Sequence, residues 1–170
     1  MDKSTDERLI LWLKDAHTME TEAETMLKAM ASRIEHYPEL KQRIEQHITE
    51  TQGQARRIEA RLEAMGSSPS AAKDTMANIM ATLHAGGNAM MSDEVVKGLG
   101  ISYAFEHMEI ASYRNLMFAA EAAGDTATVQ LCQQILPEEQ AMADWLFQHQ
   151  QALVGQFLAR EQAEGTTAKR

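Results

Sequence analysis

The chain lacks most of the features that mark disulfide-stapled, membrane-spanning or nucleic-acid-binding proteins. Cys132 is its single cysteine, so neither an internal disulfide nor a cage of cysteine ligands can form. No long apolar run is present; the stretch 9–13 is far too short to cross a bilayer. The start, Met1-Asp2-Lys3-Ser4, is charged and has no signal-peptide core. Basic residues are outnumbered, 16 Lys and Arg against 25 Asp and Glu, for a net charge of −9. That balance argues against nucleic acid, whose binding needs a basic surface to displace counterions, and equally against adsorption to anionic lipid. There are only three prolines, and no stretch alternates as a strand would. The expectation is a cytoplasmic globular protein.

What remains is rich in helix formers: alanine, glutamate, glutamine, leucine and methionine. With 44% hydrophobic and 24% charged residues, the chain has the profile of a folded domain, and 170 residues fit a single one over 1–170. Apolar periodicity and punctuation predict four long helices. The first covers about 6–36 and stops where Tyr37-Pro38 forbids continuation; the second covers about 38–65, with Pro38 suited to its first turn. Gly66-Ser67-Ser68-Pro69 is the clearest break. A third helix follows Ser92-Asp93 over about 93–123, and after Gly124-Asp125 a fourth covers about 126–161, with Pro137 expected to bend it. The connection 66–92 should hold a short extra helix with Met76, Ile79, Met80 and Leu83 on one side, and the tail 165–170 should fray.

Short links between helices one and two and between three and four predict two antiparallel hairpins. A long link between the hairpins can carry the chain from one end of a bundle to the other. That is the ferritin-like version of the four-helix bundle, and it is the expected all-α fold.

Each helix also carries acid where a core face should be apolar. Along the first, Leu9, Leu13, Ala16, Glu20, Ala23, Leu27, Met30 and Ile34 recur at steps of four and three, so a single glutamate interrupts one apolar face. On the fourth, Glu139 interrupts Cys132, Ile135, Met142, Leu146, His149 and Leu153 in the same way. On the third, Glu106 lies in the stripe Leu99, Tyr103, Ile110, Tyr113, Met117 and Ala120, with Glu109 one helical step away. On the second, Leu40, Ile44, His47, Thr51, Gln54 and Ile58 define the stripe and Glu50 flanks its polar centre. Counted from the hairpin turns, Glu20, Glu50, Glu106, Glu109 and Glu139 all lie 13 to 18 residues deep, a band about 8 Å thick at ~1.5 Å per residue.

Burying lone carboxylates is costly, so such a band calls for a partner, and hard cations suit oxygen ligands. The five glutamates are therefore candidate metal ligands, for iron or manganese. The alternative is a solvated face paired with Arg or Lys. Di-iron bundles supply a Glu-x-x-His motif from two helices; here Gly53 and Met142 stand three residues after Glu50 and Glu139, and the histidine is missing. His47 and His107 lie near the band, where supporting roles outnumber ligand roles. Tyr103, Tyr113, Cys132 and the twelve methionines read mainly as packing, and Arg56, Arg57, Glu59 and Arg61 as an ordinary solvated face.

The run Glu106-His107-Met108-Glu109-Ile110-Ala111-Ser112-Tyr113 resembles the third-helix signature of the bacterial YciE/YciF ferritin-like stress proteins. Asp15-Ala16-His17 before Glu20, His47 with Glu50-Thr51, and Glu138-Glu139 match in the other helices. Asp93-Glu94-Val95-Val96-Lys97-Gly98 and Met142-Ala143-Asp144-Trp145-Leu146 look closest to the YciE branch. The resemblance covers nearly the whole chain. It implies a ferritin-like bundle, usually dimeric, associated with stress responses, with Glu20, Glu50, Glu106, Glu109 and Glu139 at the family's metal positions. The chain departs from many relatives in carrying Gln54 in place of a histidine and Ala143 in place of an acid. Two functions follow as expectations: an oxygen-, peroxide- or metal-handling protein with a dinuclear site, or a non-enzymatic homodimeric stress or interaction protein whose acidic centre is empty or binds a cation weakly.

Overall fold

A computed structural model describes residues 3–69, 92–163 and 168 of the chain. The described residues form four helices: α1 (Lys3–Arg33), α2 (Pro38–Ala64), α3 (Glu94–Ala123) and α4 (Thr126–Gln162). No strand occurs among the described residues. The expected extra helix around Met76, Ile79, Met80 and Leu83 lies outside them.

The first helix stops at Arg33, three residues before the sequence alone suggests. The turn instead uses Ile34 and Tyr37 as anchors, and both are buried. Tyr37 leaves the helical region (φ −125°, ψ 72°), which the following proline disfavours, and Pro38 opens α2 where its missing N–H costs nothing. The Tyr37 hydroxyl donates to the Ala168 carbonyl at 2.6 Å, so the tail is docked at this point, where fraying is expected. At the other hairpin Gly124 closes α3 in the left-handed conformation (φ 71°), which a Cβ would disfavour. Asp125 then caps α4 by accepting from the Thr128 backbone N–H at 3.1 Å. Pro137 lies inside α4, which runs through it without a break to Gln162.

Two long-range ion pairs define the topology. Arg33, at the end of α1, pairs with Glu94 at the start of α3. Arg61, near the end of α2, pairs with Asp125 at the start of α4 at 2.7 Å and donates to Thr128 at 2.9 Å. Each of these helix pairs is therefore antiparallel, as are the two hairpins, and α2 and α3 must run parallel. The chain leaves α2 at one end of the bundle and enters α3 at the other. For a helix of 27 residues that separation is about 40 Å, which is why the link between the hairpins has to be long. The ferritin-like connectivity inferred from loop lengths is the one found.

The interior is layered. One apolar cluster joins Leu9, Leu13, Ile58, Leu62, Phe105 and Leu116. A second, at the opposite end, joins Leu27, Tyr37, Leu40, Leu99, Leu146 and Leu153. Between them lies a buried polar layer: Glu20, His47, Thr51, Gln54, Glu106, Glu109 and Glu139. The two apolar ends supply the burial that drives folding, and they hold the acids between them out of reach of water. Among the described residues, no helix is long and apolar enough to cross a membrane.

Candidate metal centre

The polar layer is built from one stripe on each helix. On α2 the buried positions are Leu40, Arg43, Ile44, His47, Thr51, Gln54, Ile58 and Leu62, so His47 points inward and Glu50 falls off the stripe. On α3 the buried face is rotated slightly from the one the apolar pattern suggests. Phe105 and Leu116 enter the core in place of Ile110 and Met117, and this rotation carries Glu106 and Glu109 inward together. On α4, Glu139 sits between Ile135 and Met142, all three fully buried.

His47, Glu106, Glu109 and Glu139 each present one ligand atom such that all four atoms lie within 4.8 Å of one another, and all four residues are buried. His47 is the hub. Its Nε2 stands 3.2 Å from Glu106 Oε2 and 3.6 Å from Glu139 Oε2, while its Nδ1 meets Glu50 Oε2 at 2.8 Å. Glu20 completes the layer from α1, where the Tyr113 hydroxyl donates to its Oε1. From α2, the Gln54 side-chain N–H donates to Glu139 Oε1 and, at 2.9 Å, to Glu138 Oε2. Four buried carboxylate oxygens, on Glu20, Glu106, Glu109 and Glu139, accept no well-formed hydrogen bond from any described residue. The close approach of His47 to Glu106 and Glu139 is thus an ion-pair contact without hydrogen-bond alignment.

Electrostatics follow from this crowding. Burial, then the neighbouring acids, push Glu109 and Glu139 well above the usual carboxylate range. Burial likewise lifts Glu20 to about 8, against the lowering effect of the Tyr113 hydrogen bond. Burial pulls His47 down, but Glu106, Glu50 and Glu139 outweigh it and hold the imidazole near 10, so at neutral pH it is a cation. In the protein alone, His47 and bound protons are what balance the acids. A divalent ion can take over that role, with His47 giving up a proton to become a ligand.

Glu50 behaves differently from the other four glutamates. It is 22% exposed, and Arg43 at 3.1 Å, Gln46 at 2.8 Å and His47 all contact its carboxylate. Burial opposes its ionisation, yet these partners hold it down to about 2. It therefore stands at the rim and orients His47. His47, which sequence reasoning placed in a supporting role, is central; the signal was available, since His47 lies in the α2 stripe and Glu50 beside it. His107 is exposed, edge-on to Tyr103 with ring centroids 4.5 Å apart. Asp144 is also exposed and accepts from Gln140 at 2.8 Å, away from the acids. Tyr113 is both core and hydrogen-bond donor. Arg57 and Arg61 do not form a plain solvated face: both are half-buried and tie α2 to α4 through Glu138 and Asp125. Cys132 is buried, with its thiol pushed up to about 12 by burial and by Asp125, so it acts as a small apolar residue.

Fold and site together define a ferritin-like four-helix bundle with carboxylates and one imidazole buried at mid-depth. The chain belongs to the family described as Domain of unknown function (DUF892), which it matches over residues 4–159. It is similar to a crystal structure of a protein from Xanthomonas campestris pv. campestris, at 53% identity and a TM-score of 0.81, covering 94% of this chain and 99% of that one. It is similar also to the Escherichia coli stress protein YciF, at 25% identity and a TM-score of 0.76, covering 90% and 98%. The YciE/YciF resemblance read from the helix-three motif therefore holds. A ferritin-like, diiron-carboxylate protein from Bacillus anthracis shares the fold at 19% identity and a TM-score of 0.71, covering 87% and 98%.

Proposed function

We propose that the protein binds first-row divalent metal, iron or manganese, in its buried polar layer and uses it to handle oxygen, peroxide or the metal itself during stress. One observation carries this reading. Four buried carboxylate oxygens lack hydrogen-bond partners among the described residues, and three of the acids that bear them share a 4.8 Å cluster with His47. Unpartnered buried carboxylates are expensive, and a hard cation is the group that relieves them. A set of carboxylate oxygens with one imidazole nitrogen suits iron(II) or manganese(II), and nothing in it favours a thiolate-seeking metal. The stress-protein name of YciF and the diiron-carboxylate description of the Bacillus anthracis protein support the same reading.

In this reading Glu106, Glu109, Glu139 and His47 are ligands. Glu20, held by Tyr113, supplies a further carboxylate from the opposite hairpin, enough for a second ion. Glu50 fixes the His47 ring through Nδ1. Bound iron or manganese supplies electron transfer toward dioxygen or peroxide. The test is a metal count: protein loaded with iron(II) or manganese(II) without oxygen, then desalted, should retain metal near two ions per chain, and Glu106→Ala should lose it. Wild-type protein that emerges metal-free would sink the proposal.

A second reading keeps the acids as a weak cation site in a non-enzymatic homodimer. The exposed apolar side chains of Leu11, Trp12, Phe118, Phe147 and Leu158 favour association. Light scattering at micromolar concentration should report a dimer under either reading, and a monomer would remove that part of both.

A further inference from the structure

Resting on the metal-binding reading, a second question is how a charged ion reaches a layer sealed between two apolar clusters. Two clefts lined by described residues bear on this question. One, about 520 Å³ between α1 and α3, is lined by Trp12, Asp15, Ser112, Asn115, Leu116 and Phe118 among others; among the described residues, no hydrogen bond links its polar side chains to the buried acids. The other, about 610 Å³ between α2 and α4, is lined by Glu50, Gly53, Arg57 and Glu138 among others. A divalent ion with six waters, at ~30 Å³ per water, occupies about 200 Å³ and fits there.

Three features connect this second cleft to the buried acids. Glu138 lies on the cleft wall and Glu139, its chain neighbour, in the buried cluster; the side-chain N–H of Gln54 donates to both. Gln54 is fully buried, and its Oε1 has no hydrogen-bond partner among the described residues, a hard neutral donor between surface and site. Gly53 lies beside it in the middle of α2, where glycine costs about 1 kcal/mol relative to alanine. A Cβ at Gly53 would meet only the guanidinium ends of Arg56 and Arg57, at 4.0 Å, so packing does not require the small residue. What glycine does there is leave the wall thin. Across the opening, Arg57 pairs with Glu138 and accounts for the charge of that carboxylate until a stronger cation arrives.

We propose that divalent cations reach the buried carboxylates through the α2–α4 cleft at Gly53, received by Glu138 and passed inward along Gln54 to Glu139, with Arg57 as the displaceable latch. The α1–α3 cleft, which has no such chain of hydrogen bonds to the acids, is not the route.

The experiment separates rate from capacity. Cobalt(II) alone is mixed with the metal-free protein; uptake is followed by visible absorption in a stopped-flow instrument, and bound cobalt is counted at equilibrium. Gly53→Leu and Glu138→Gln should reach the wild-type count but about tenfold more slowly, the scale on which cleft charge and access set association rates. Arg57→Ala should fill at least as fast as wild type, and Ala119→Leu, which fills the other cleft, at the wild-type rate. Gly53→Ala, which a helix favours, guards against misfolding of the leucine variant and should also slow uptake, by less. Wild-type rates in both Gly53 variants, or slowing in Ala119→Leu alone, would overturn the route while leaving the metal site standing. Wild-type protein that binds no cobalt at equilibrium overturns the metal reading and the route with it.

Discussion

Glu109 shows most plainly what the polar layer costs the protein. It is 1% exposed and surrounded by Glu20, Glu106 and Glu139, so in the absence of metal it must hold a proton at a pH where an unfolded glutamate would not. Taking that proton up costs as much as about 1.4 kcal/mol for each pH unit above the ordinary carboxylate value. Glu109→Gln keeps the shape and removes this cost. With a chelator present, the variant should be more stable than wild type at pH 8, by an amount that shrinks toward zero as the pH approaches 5; it should also bind less metal. Denaturant melts at the two pH values check this, and equal stability at pH 8 would mean that Glu109 does not sit among the other acids. Tyr113 acts in the opposite direction. Its hydroxyl is the donor that Glu20 Oε1 has, so Tyr113→Phe strands a buried acceptor and should cost about 1–3 kcal/mol in the metal-free protein.

At the level of elements, the α3–α4 corner sets the depth of Glu106, Glu109 and Glu139, because it fixes where each helix begins and ends. Gly124 adopts φ 71°, and Asp125 accepts from the Thr128 N–H and hydroxyl while pairing with Arg61 of α2. Burial resists the ionisation of Asp125, but Arg61 and Thr128 hold it below the usual range. Gly124→Ala should destabilise by about 1 kcal/mol, the cost of placing a Cβ in the left-handed region. Asp125→Ala should cost more, about 2 kcal/mol, because it removes the cap and leaves Arg61 without its half-buried partner. Thermal melts that rank the two in reverse would show that the cap does not carry the corner. The second helix is where sequence pattern and structure diverge in use. Its stripe was legible residue by residue, yet a stripe gives only a direction, and Arg57 and Arg61 beside it reach across to α4 because their side chains are long enough to bridge helices.

For the whole molecule, the acid layer couples stability to pH and to metal. Glu20 titrates near 8 when folded and near 4.5 when unfolded; Glu109 and Glu139 shift in the same direction, and His47 rises from 6.5 to about 10. For all four the folded state binds protons more tightly, so their contribution is fully present below the unfolded values and is lost as pH rises through the folded ones. Glu50 has the opposite sign: held at about 2, it stabilises above 4.5, and that contribution is lost as pH falls toward 2. Metal-free protein should therefore be most stable near pH 5 and weaken steadily toward pH 9. A flat melting profile over that range would show that the carboxylates do not interact. Metal should reverse the trend at high pH. A ligand that binds only the folded state at about 100-fold over its Kd adds about 2.7 kcal/mol, and the protons it displaces make binding tighter as pH rises.

The amino-acid sequence by itself determined the four helices, the approximate faces they bury and the common depth of the acids, because those follow from a local repeat of 3.6 residues and from turn chemistry at Pro38 and Gly124. It also carried the bundle connectivity, through the length of the link between hairpins. Only the tertiary structure decided which polar groups meet. Glu50 and His47 are three residues apart on one helix, and although periodicity puts His47 in the stripe and Glu50 beside it, it cannot say which acids either one meets. The roll of α2 against three other helices settles it. It aims His47 at Glu106 and Glu139 and leaves Glu50 at the rim, because turning Glu50 inward would pull Ile44 and Ile58 out of the apolar layers above and below. The same packing turned Phe105 and Leu116 inward on α3 and brought Glu106 and Glu109 with them. Those contacts join residues far apart in the chain, and no local pattern encodes them.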